Sequence, residues 1–181
     1  MSRGNQKKRI FQDEDDYQTF LYYIKRAHEL FPFYLISYCF MTNHIHMQVI
    51  TIEDPPGKIM HCILSNYSKY YNKKYGYVGH LFQGRYIGEN IESLPYMLHT
   101  SRYIHLNPVV AKIVEKPAQY KWSSYPVFIG KKSFDLVNEE KILLYFGLNT
   151  KEMIENYKYY VEREECKVTI SDEVSRFEEQ V

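Results

Sequence analysis

Two histidines separated by one residue are the clearest candidates for chemistry in this chain of 181 residues. His44 and His46 flank Ile45 in a stretch rich in β-branched and aromatic residues, which favours a β-strand. Because side chains alternate along a strand, both imidazoles are expected on one face, where they can bind one metal ion. Two protein ligands leave coordination positions for water and substrate, as in a catalytic site. The chain has seven histidines, so such a pair also arises by chance.

A tyrosine and an asparagine four residues apart form a second candidate pair. Tyr103 and Asn107 lie in a segment with helical spacing, so the phenol and the amide share one helix face. A phenol has an ordinary pKa of about 10 and needs a nearby cation to attack phosphorus near neutral pH. A metal ion on the histidine pair would supply that charge, with the Asn107 carbonyl as a third ligand. The alternatives are a packed tyrosine and a helix C-cap before Pro108, and spacing does not distinguish Tyr103 from Tyr96.

The other potential metal ligands are weaker candidates. The remaining histidines lie alone in predicted helices or in a glycine-rich stretch, where exposed or hydrogen-bonded side chains are expected. They are His28, His61, His80, His99 and His105. The three cysteines, Cys39, Cys62 and Cys166, are unclustered and lack CxxC spacing. Neither a disulfide framework nor a cysteine zinc site is therefore predicted.

Alternating periodicities indicate the elements that would position these residues. Helical spacing predicts helices over residues 13–30, 58–74, 92–107, 138–146 and 151–166, the third of them ending at Pro108. Strands are predicted over 33–41 and 44–52 around a turn at Thr42 and Asn43, and 78–87 reads as extended. Residues 116–130 are loop-like with Trp122 as a packing anchor, and the last fifteen residues are polar and expected to fray.

The order of these elements predicts an α+β sandwich, with an antiparallel sheet covered by helices on one face. The strand expected before the first helix has few residues to form it, because only residues 1–6 remain to supply it. We expect a missing or very short first strand. The alternatives are translation that starts upstream of Met1, or a sheet edge covered by the N-terminal segment or by another subunit.

Composition bounds the class of protein. The net charge is +1, apolar residues make up 45% of the chain, and no apolar run approaches the ~20 residues of a membrane helix. A soluble cytoplasmic protein is predicted.

Nineteen tyrosines are unusual. Tyrosines and lysines interleave over residues 66–75, which suits stacking against unpaired bases. The alternative there is an amphipathic helix with buried tyrosines.

Five separated segments resemble the REP-associated tyrosine transposases, a group within the single-tyrosine HUH transposase (endonuclease) superfamily. They are residues 2–5 (SRGN), 41–47 (MTNHIHM), 81–86 (LFQGRY), 102–109 (RYIHLNPV) and 122–125 (WSSY). Several motifs in the same order are far more specific than a histidine pair alone. The resemblance runs from residue 2 to about residue 130. It predicts a transposase domain over 1–130 and a C-terminal helical extension over 131–181.

The resemblance implies a ferredoxin-like α+β fold that binds hairpin DNA and cleaves a single strand beside it. Carried over by position, His44, His46 and Asn107 hold a divalent metal ion, Mg²⁺ or Mn²⁺, and Tyr103 forms a 5′-phosphotyrosine link. The freed 3′-hydroxyl then rejoins or transfers strands without ATP. Three arginines match basic family positions and are expected to contact DNA: Arg3, Arg85 and Arg102. The protein is expected to be a monomer or a homodimer without a membrane partner.

Two departures from the family pattern bear on activity. Thr42 stands where a proline usually precedes the Asn-His pair, which alters the turn. Val110 stands where an arginine usually follows Asn-Pro-Val, which removes one expected phosphate contact. Two other functions remain open at this point. One is a domesticated or truncated hairpin-binding protein without turnover, and the other is a zinc hydrolase, which the lack of HExxH and of an obvious general base disfavours.

Overall fold

A computed structural model of the chain describes residues 1–163. The strands are β1 (Ser2–Arg3), β2 (Phe33–Met41) and β3 (His44–Thr51). The helices are α1 (Glu14–Leu30), α2 (Pro56–Tyr75), α3 (Leu94–Val110), α4 (Tyr125–Phe128), α5 (Glu140–Leu143) and α6 (Thr150–Glu162). The predicted end of the last helix at Cys166 and the polar last fifteen residues lie outside the described residues. Over the part described, no helix is both long and apolar enough to cross a bilayer.

The three strands form an antiparallel sheet in the order β1-β3-β2. The β2–β3 hairpin turns at Thr42 and Asn43 as predicted, and Met41 pairs with His44 beside this turn. β1 has two residues and pairs with the start of β3, where Arg3 lies opposite His44. The α+β class and the very short first strand are confirmed. β1 also covers this edge of β3, which was one of the expected alternatives.

Irregular segments close both outer edges of the sheet. Residues 81–87 run beside the N-terminus, where Gln83 N–H donates to the Arg3 carbonyl and Ile87 N–H to the Met1 carbonyl, each at 2.8 Å. The predicted extended segment 78–87 is therefore located, although it forms no regular strand. On the other edge, Phe40 N–H donates to the Trp122 carbonyl at 2.9 Å. Burial of these edges leaves few backbone groups unpaired.

One face of the sheet packs against α1 and α2 through aromatic side chains. Asp13 caps the start of α1, and a reciprocal bond with Asp16 completes a capping box. The Phe20 ring lies 5.0 Å from the rings of both Phe40 and Tyr67. Tyr67 is fully buried. The tyrosines on this side of α2 therefore belong to the core, as the amphipathic alternative for residues 66–75 requires.

The opposite face of the sheet packs against α3. Gln48 alternates with the core-facing residues of β3, and its Nε2 donates to the Met97 carbonyl of α3 at 3.0 Å. α3 therefore adds a layer that the prediction of one covered face did not include. The predicted stop at Pro108 is wrong, because α3 continues to Val110. A proline in the last turn removes a single N–H, and Ala111 N–H still closes the helix on the Asn107 carbonyl at 2.9 Å.

Candidate active site on the sheet

The β2–β3 hairpin brings the two histidines together at the start of β3. Their ring centroids are 5.0 Å apart and the rings are nearly perpendicular. His44 Nδ1 lies 2.7 Å from Asn43 Oδ1. An amide oxygen only accepts, so Nδ1 carries the proton and the lone pair of His44 lies on Nε2. The turn residue therefore orients the ring for coordination through Nε2.

Burial keeps both imidazoles uncharged near neutral pH. His46 is 8% exposed, and burial, followed by the neighbouring His44, lowers its pKa to about 4. Burial lowers the pKa of His44 as well, with a further contribution from the positive charge of Arg3. A hydrogen bond with Asn107 opposes this shift. Neutral imidazoles offer the lone pairs that a metal ion requires.

α3 carries the candidate nucleophile to the same place. Ser93 caps the helix by accepting a bond from Tyr96 N–H. The Tyr103 ring lies 5.6 Å from the His46 ring, edge to face. Its side chain is 49% exposed, so the phenol is accessible from solvent. Asn107 donates through Nδ2 to the Tyr103 carbonyl at 2.9 Å and also bonds with His44. One helix face thus brings the phenol and the amide to the histidine pair.

The surroundings of Tyr96 distinguish it from Tyr103. Burial, a hydrogen bond with Glu89 and the charge of that carboxylate all raise the pKa of Tyr96. A neighbouring negative charge disfavours a phenolate. Tyr103, by contrast, lies against His46. Of the two tyrosines, Tyr103 is the one that lies beside the histidine pair.

The donor set fits an open metal site. No group of three or more histidine, cysteine or acidic residues could hold a metal ion anywhere in residues 1–163. The available donors are instead two neutral imidazoles and the amide of Asn107. Three protein donors leave positions for water and for phosphate oxygens. The arrangement is suited to a catalytic ion that also binds its substrate.

Two of the predicted DNA-contacting arginines lie at the site or in the groove beside it. Arg3 is half-buried opposite His44, and its Nε is buried with no hydrogen-bond partner among the described residues. Arg85 is exposed and lines an open groove of about 1980 Å³. His46 and Tyr103 line the same groove. A cationic side chain at each of these positions can reach an anionic substrate.

Arg102 is placed differently. Its side chain is 4% exposed and faces α6. Its Nε donates to the Tyr160 carbonyl at 2.8 Å, and an Nη donates to the Arg163 carbonyl at 3.0 Å. The guanidinium also lies over the Tyr160 ring. This geometry favours a structural role for Arg102 over the predicted contact with DNA.

Sequence reasoning missed the part that Asn43 takes in the site. It was interpreted only as a turn residue, whereas it fixes the proton of His44. The available signal was its position immediately before the first histidine. A second omission is the buried network around His105, which has no local sequence signal because its partner Tyr157 lies 52 residues away.

Comparison with known proteins covers the part of the chain that holds this site. A family model described as "Transposase IS200 like" matches residues 1–107, a range that includes the histidine pair, Tyr103 and Asn107. The solved structure of a REP-associated tyrosine transposase bound to a REP hairpin is similar, with a TM-score of 0.61 and 16% identity. The match covers 76% of this chain and 87% of that chain. No curated protein sequence matches.

Proposed function

The chain belongs to the IS200-like transposase family, and on that premise we propose that it is a single-strand DNA endonuclease and strand-transferase with Tyr103 as nucleophile. One observation carries the proposal: the Tyr103 phenol lies beside two neutral histidines, with its ring 5.6 Å from that of His46. Only an exposed phenol next to a potential metal site suits attack on a phosphate. Tyr103 meets both conditions.

We propose that the substrate is hairpin-bearing single-stranded DNA. The similar solved structure is of a transposase bound to a REP hairpin, and the groove here is wide and open. Arg85 on the groove and Arg3 beside His44 are available for phosphate contacts. Arg3 is the better placed for the scissile phosphate, because it lies opposite His44.

The proposed chemistry, which the family resemblance implies, has two steps. The Tyr103 oxygen attacks phosphorus, the bond from phosphorus to the 3′-oxygen breaks, and a 5′-phosphotyrosine forms. The phenol proton passes to solvent, and the leaving 3′-oxygen takes up a proton. In the second step a 3′-hydroxyl attacks the phosphotyrosine, and Tyr103 leaves and regains its proton. The number of phosphodiester bonds is unchanged, so no ATP is consumed.

The residues around Tyr103 prepare this reaction. A divalent ion, Mg²⁺ or Mn²⁺, held by His44, His46 and Asn107 would neutralise charge on the phosphate and favour the phenolate. Asn43 keeps the proton of His44 on Nδ1 and so directs Nε2 to the site. The α3 helix fixes the distance between Tyr103 and the histidine pair.

Trapping of a covalent adduct tests the proposal. The chain is incubated with hairpin-bearing single-stranded DNA and Mn²⁺ or Mg²⁺, and the products are separated under denaturing conditions. We expect a protein–DNA adduct that Tyr103→Phe lowers by roughly a thousandfold or more. Tyr96→Phe is the matched control on the same helix and should retain the adduct. His46→Ala should bind the hairpin but form no adduct.

Two outcomes would contradict this assignment. An adduct that persists in Tyr103→Phe would place the nucleophile elsewhere. Tight hairpin binding without any adduct, across several metals and DNA sequences, would favour a binding protein without turnover.

A further inference from the structure

The connection between β1 and α1 exposes three consecutive cations, Lys7, Lys8 and Arg9, here called the basic loop. Gln6 and Lys7 have left-handed backbone conformations, with φ of 52° and 59°, which non-glycine residues seldom adopt. A hydrogen bond from the β2–β3 turn stabilises this conformation, because Asn43 Nδ2 donates to the Lys7 carbonyl at 3.1 Å. The fold therefore presents these cations to solvent in a defined conformation.

The described part of the chain offers the basic loop no acidic partner. Within residues 1–163, none of its three cations forms an ion pair. Two acidic residues that follow soon after the loop in the sequence, Asp13 and Asp16, bind Lys74 Nζ at 2.8 and 2.9 Å. Unpaired neighbouring cations on a rigid turn form a site for anions such as backbone phosphates.

A small cavity lies directly beside these cations. It is lined by Lys8, Arg9, Gln12, Tyr71, Tyr77 and Leu81, and is here called the tyrosine pocket. Its volume is about 290 Å³, at the lower end of the roughly 300–1000 Å³ of small-ligand sites.

The chemistry of this lining is that of a base-binding site. The half-buried Tyr77 offers a ring, and Lys8 Nζ lies 5.9 Å from the centre of that ring. Gln12 Nε2 donates to the Tyr71 hydroxyl at 2.8 Å, which places an amide at the wall. An aromatic wall, an amide and a cationic rim match the flat face, polar edge and phosphate of one nucleotide.

The tyrosine pocket and the groove of the candidate active site share one lining residue. Leu81 lines both the pocket and the groove that contains His46 and Tyr103. A second link runs through Asn43, which bonds to the Lys7 carbonyl on one side and to His44 on the other. The pocket therefore lies next to the groove in which a DNA strand would bind.

We propose that the basic loop and the tyrosine pocket form a subsite for an unpaired nucleotide of the substrate strand. Lys8 and Arg9 bind its phosphates, and the base stacks on Tyr77. This inference rests on the proposed single-stranded DNA substrate, but it concerns binding and requires no cleavage.

Fluorescence anisotropy on the full chain without added metal tests the subsite with two DNA probes. One probe is an unstructured oligothymidylate, and the other is a blunt hairpin without a single-stranded extension. Tyr77→Leu should weaken oligothymidylate binding about tenfold, the effect of losing one stacked base, whereas Tyr77→Phe should bind as the wild type. The double change Lys8→Ala and Arg9→Ala should reduce the slope of log affinity against log salt by about 1.4, for two phosphate contacts.

The blunt hairpin and a distant lysine serve as controls. None of these variants should alter binding of the blunt hairpin. Lys25→Ala, at an exposed position on α1 that lines neither cavity, should leave both probes unaffected. The subsite is refuted if the wild type does not bind oligothymidylate, if Tyr77→Leu binds it normally, or if both probes weaken equally. Failure of adduct formation with these affinities intact would refute the proposed function alone.

Discussion

The two sides of α3 hold similar residue types in opposite environments. On the side facing the groove, Tyr103 is half-exposed and Asn107 bonds to the His44 ring. On the side facing α6, Arg102 and His105 are buried. Tyr103 and His105 are only two residues apart, so the helical rotation alone separates a reactive environment from a packed one.

The buried side is a closed hydrogen-bond network. His105 Nδ1 lies 2.8 Å from the Tyr157 hydroxyl, and its Nε2 lies 2.8 Å from Ser124 Oγ. Ser101 Oγ lies 2.8 Å from the same Tyr157 hydroxyl. Both nitrogens of His105 are engaged, so this histidine has no lone pair for a metal ion. His46 of β3, in contrast, lines the groove and lies beside Tyr103.

The difference between the two sides indicates how the proposed nucleophile, Tyr103, is positioned. Arg102 and His105 tie α3 to α6, Tyr157 and the segment beside β2, which sets the rotation of α3 about its axis. With that rotation set, Tyr103 faces His46 on the opposite side. The buried side thus stabilises the fold, and the exposed side carries the proposed nucleophile. Each side can be altered separately.

The largest difference is expected between His105→Leu and Tyr103→Phe in stability. His105→Leu leaves the Tyr157 and Ser124 hydroxyls each short of one buried partner, so we expect a loss of about 2–4 kcal/mol in the free energy of unfolding. Tyr103→Phe removes only an exposed hydroxyl, and its effect should stay within about 0.5 kcal/mol. Urea denaturation followed by circular dichroism measures both. Equal losses in the two variants would show that the sides of α3 are not separate.

A pH titration of stability sharpens the contrast for His105. Burial lowers the pKa of His105 from its ordinary 6.5 to about 3. Between these values the unfolded chain binds a proton that the native chain lacks, so stability falls as the pH falls and is constant above about 6.5 for this group. The loss from pH 6.5 to 5 should be about 2 kcal/mol.

His105→Gln provides the control for this titration. Burial lowers the pKa values of His44 and His46 too, so these two histidines also contribute to the pH dependence of stability in the wild type. The loss between pH 6.5 and 5 should be about 2 kcal/mol smaller in His105→Gln than in the wild type. An identical pH dependence in the two proteins would contradict a neutral, buried His105.

Local patterns were sufficient to predict the hairpin and the histidine pair. Strand alternation and the Thr42–Asn43 turn are short-range features, and they place His44 and His46 on one face wherever the hairpin lies in the fold. The helical face shared by Tyr103 and Asn107 is local in the same sense. The contact between Tyr103 and His46 is a tertiary one, and only the family resemblance could indicate it.

Long-range contacts account for the errors. The burial of Arg102 was not predicted, because its carbonyl partners lie 58 and 61 residues away, on α6 and at its end. The irregular course of 81–87 depends on the N-terminal residues that it pairs with. α3 passes Pro108 because the missing N–H falls in the last turn. None of these contacts has a periodic signal in the sequence.

The smallest expected effect is a difference between Arg85 and Arg102 in the salt dependence of DNA binding. Arg85 is exposed on the groove, so Arg85→Ala should lower the slope of log affinity against log salt by about 0.7–0.9, as for one lost phosphate contact. Arg102→Lys keeps the charge but cannot bridge both carbonyls of α6, so it should leave the salt slope unchanged and reduce stability by about 1–2 kcal/mol. Anisotropy titrations with hairpin DNA at several salt concentrations, paired with urea denaturation, measure both quantities. A reduced salt slope in Arg102→Lys at unchanged stability would show that Arg102 contacts DNA.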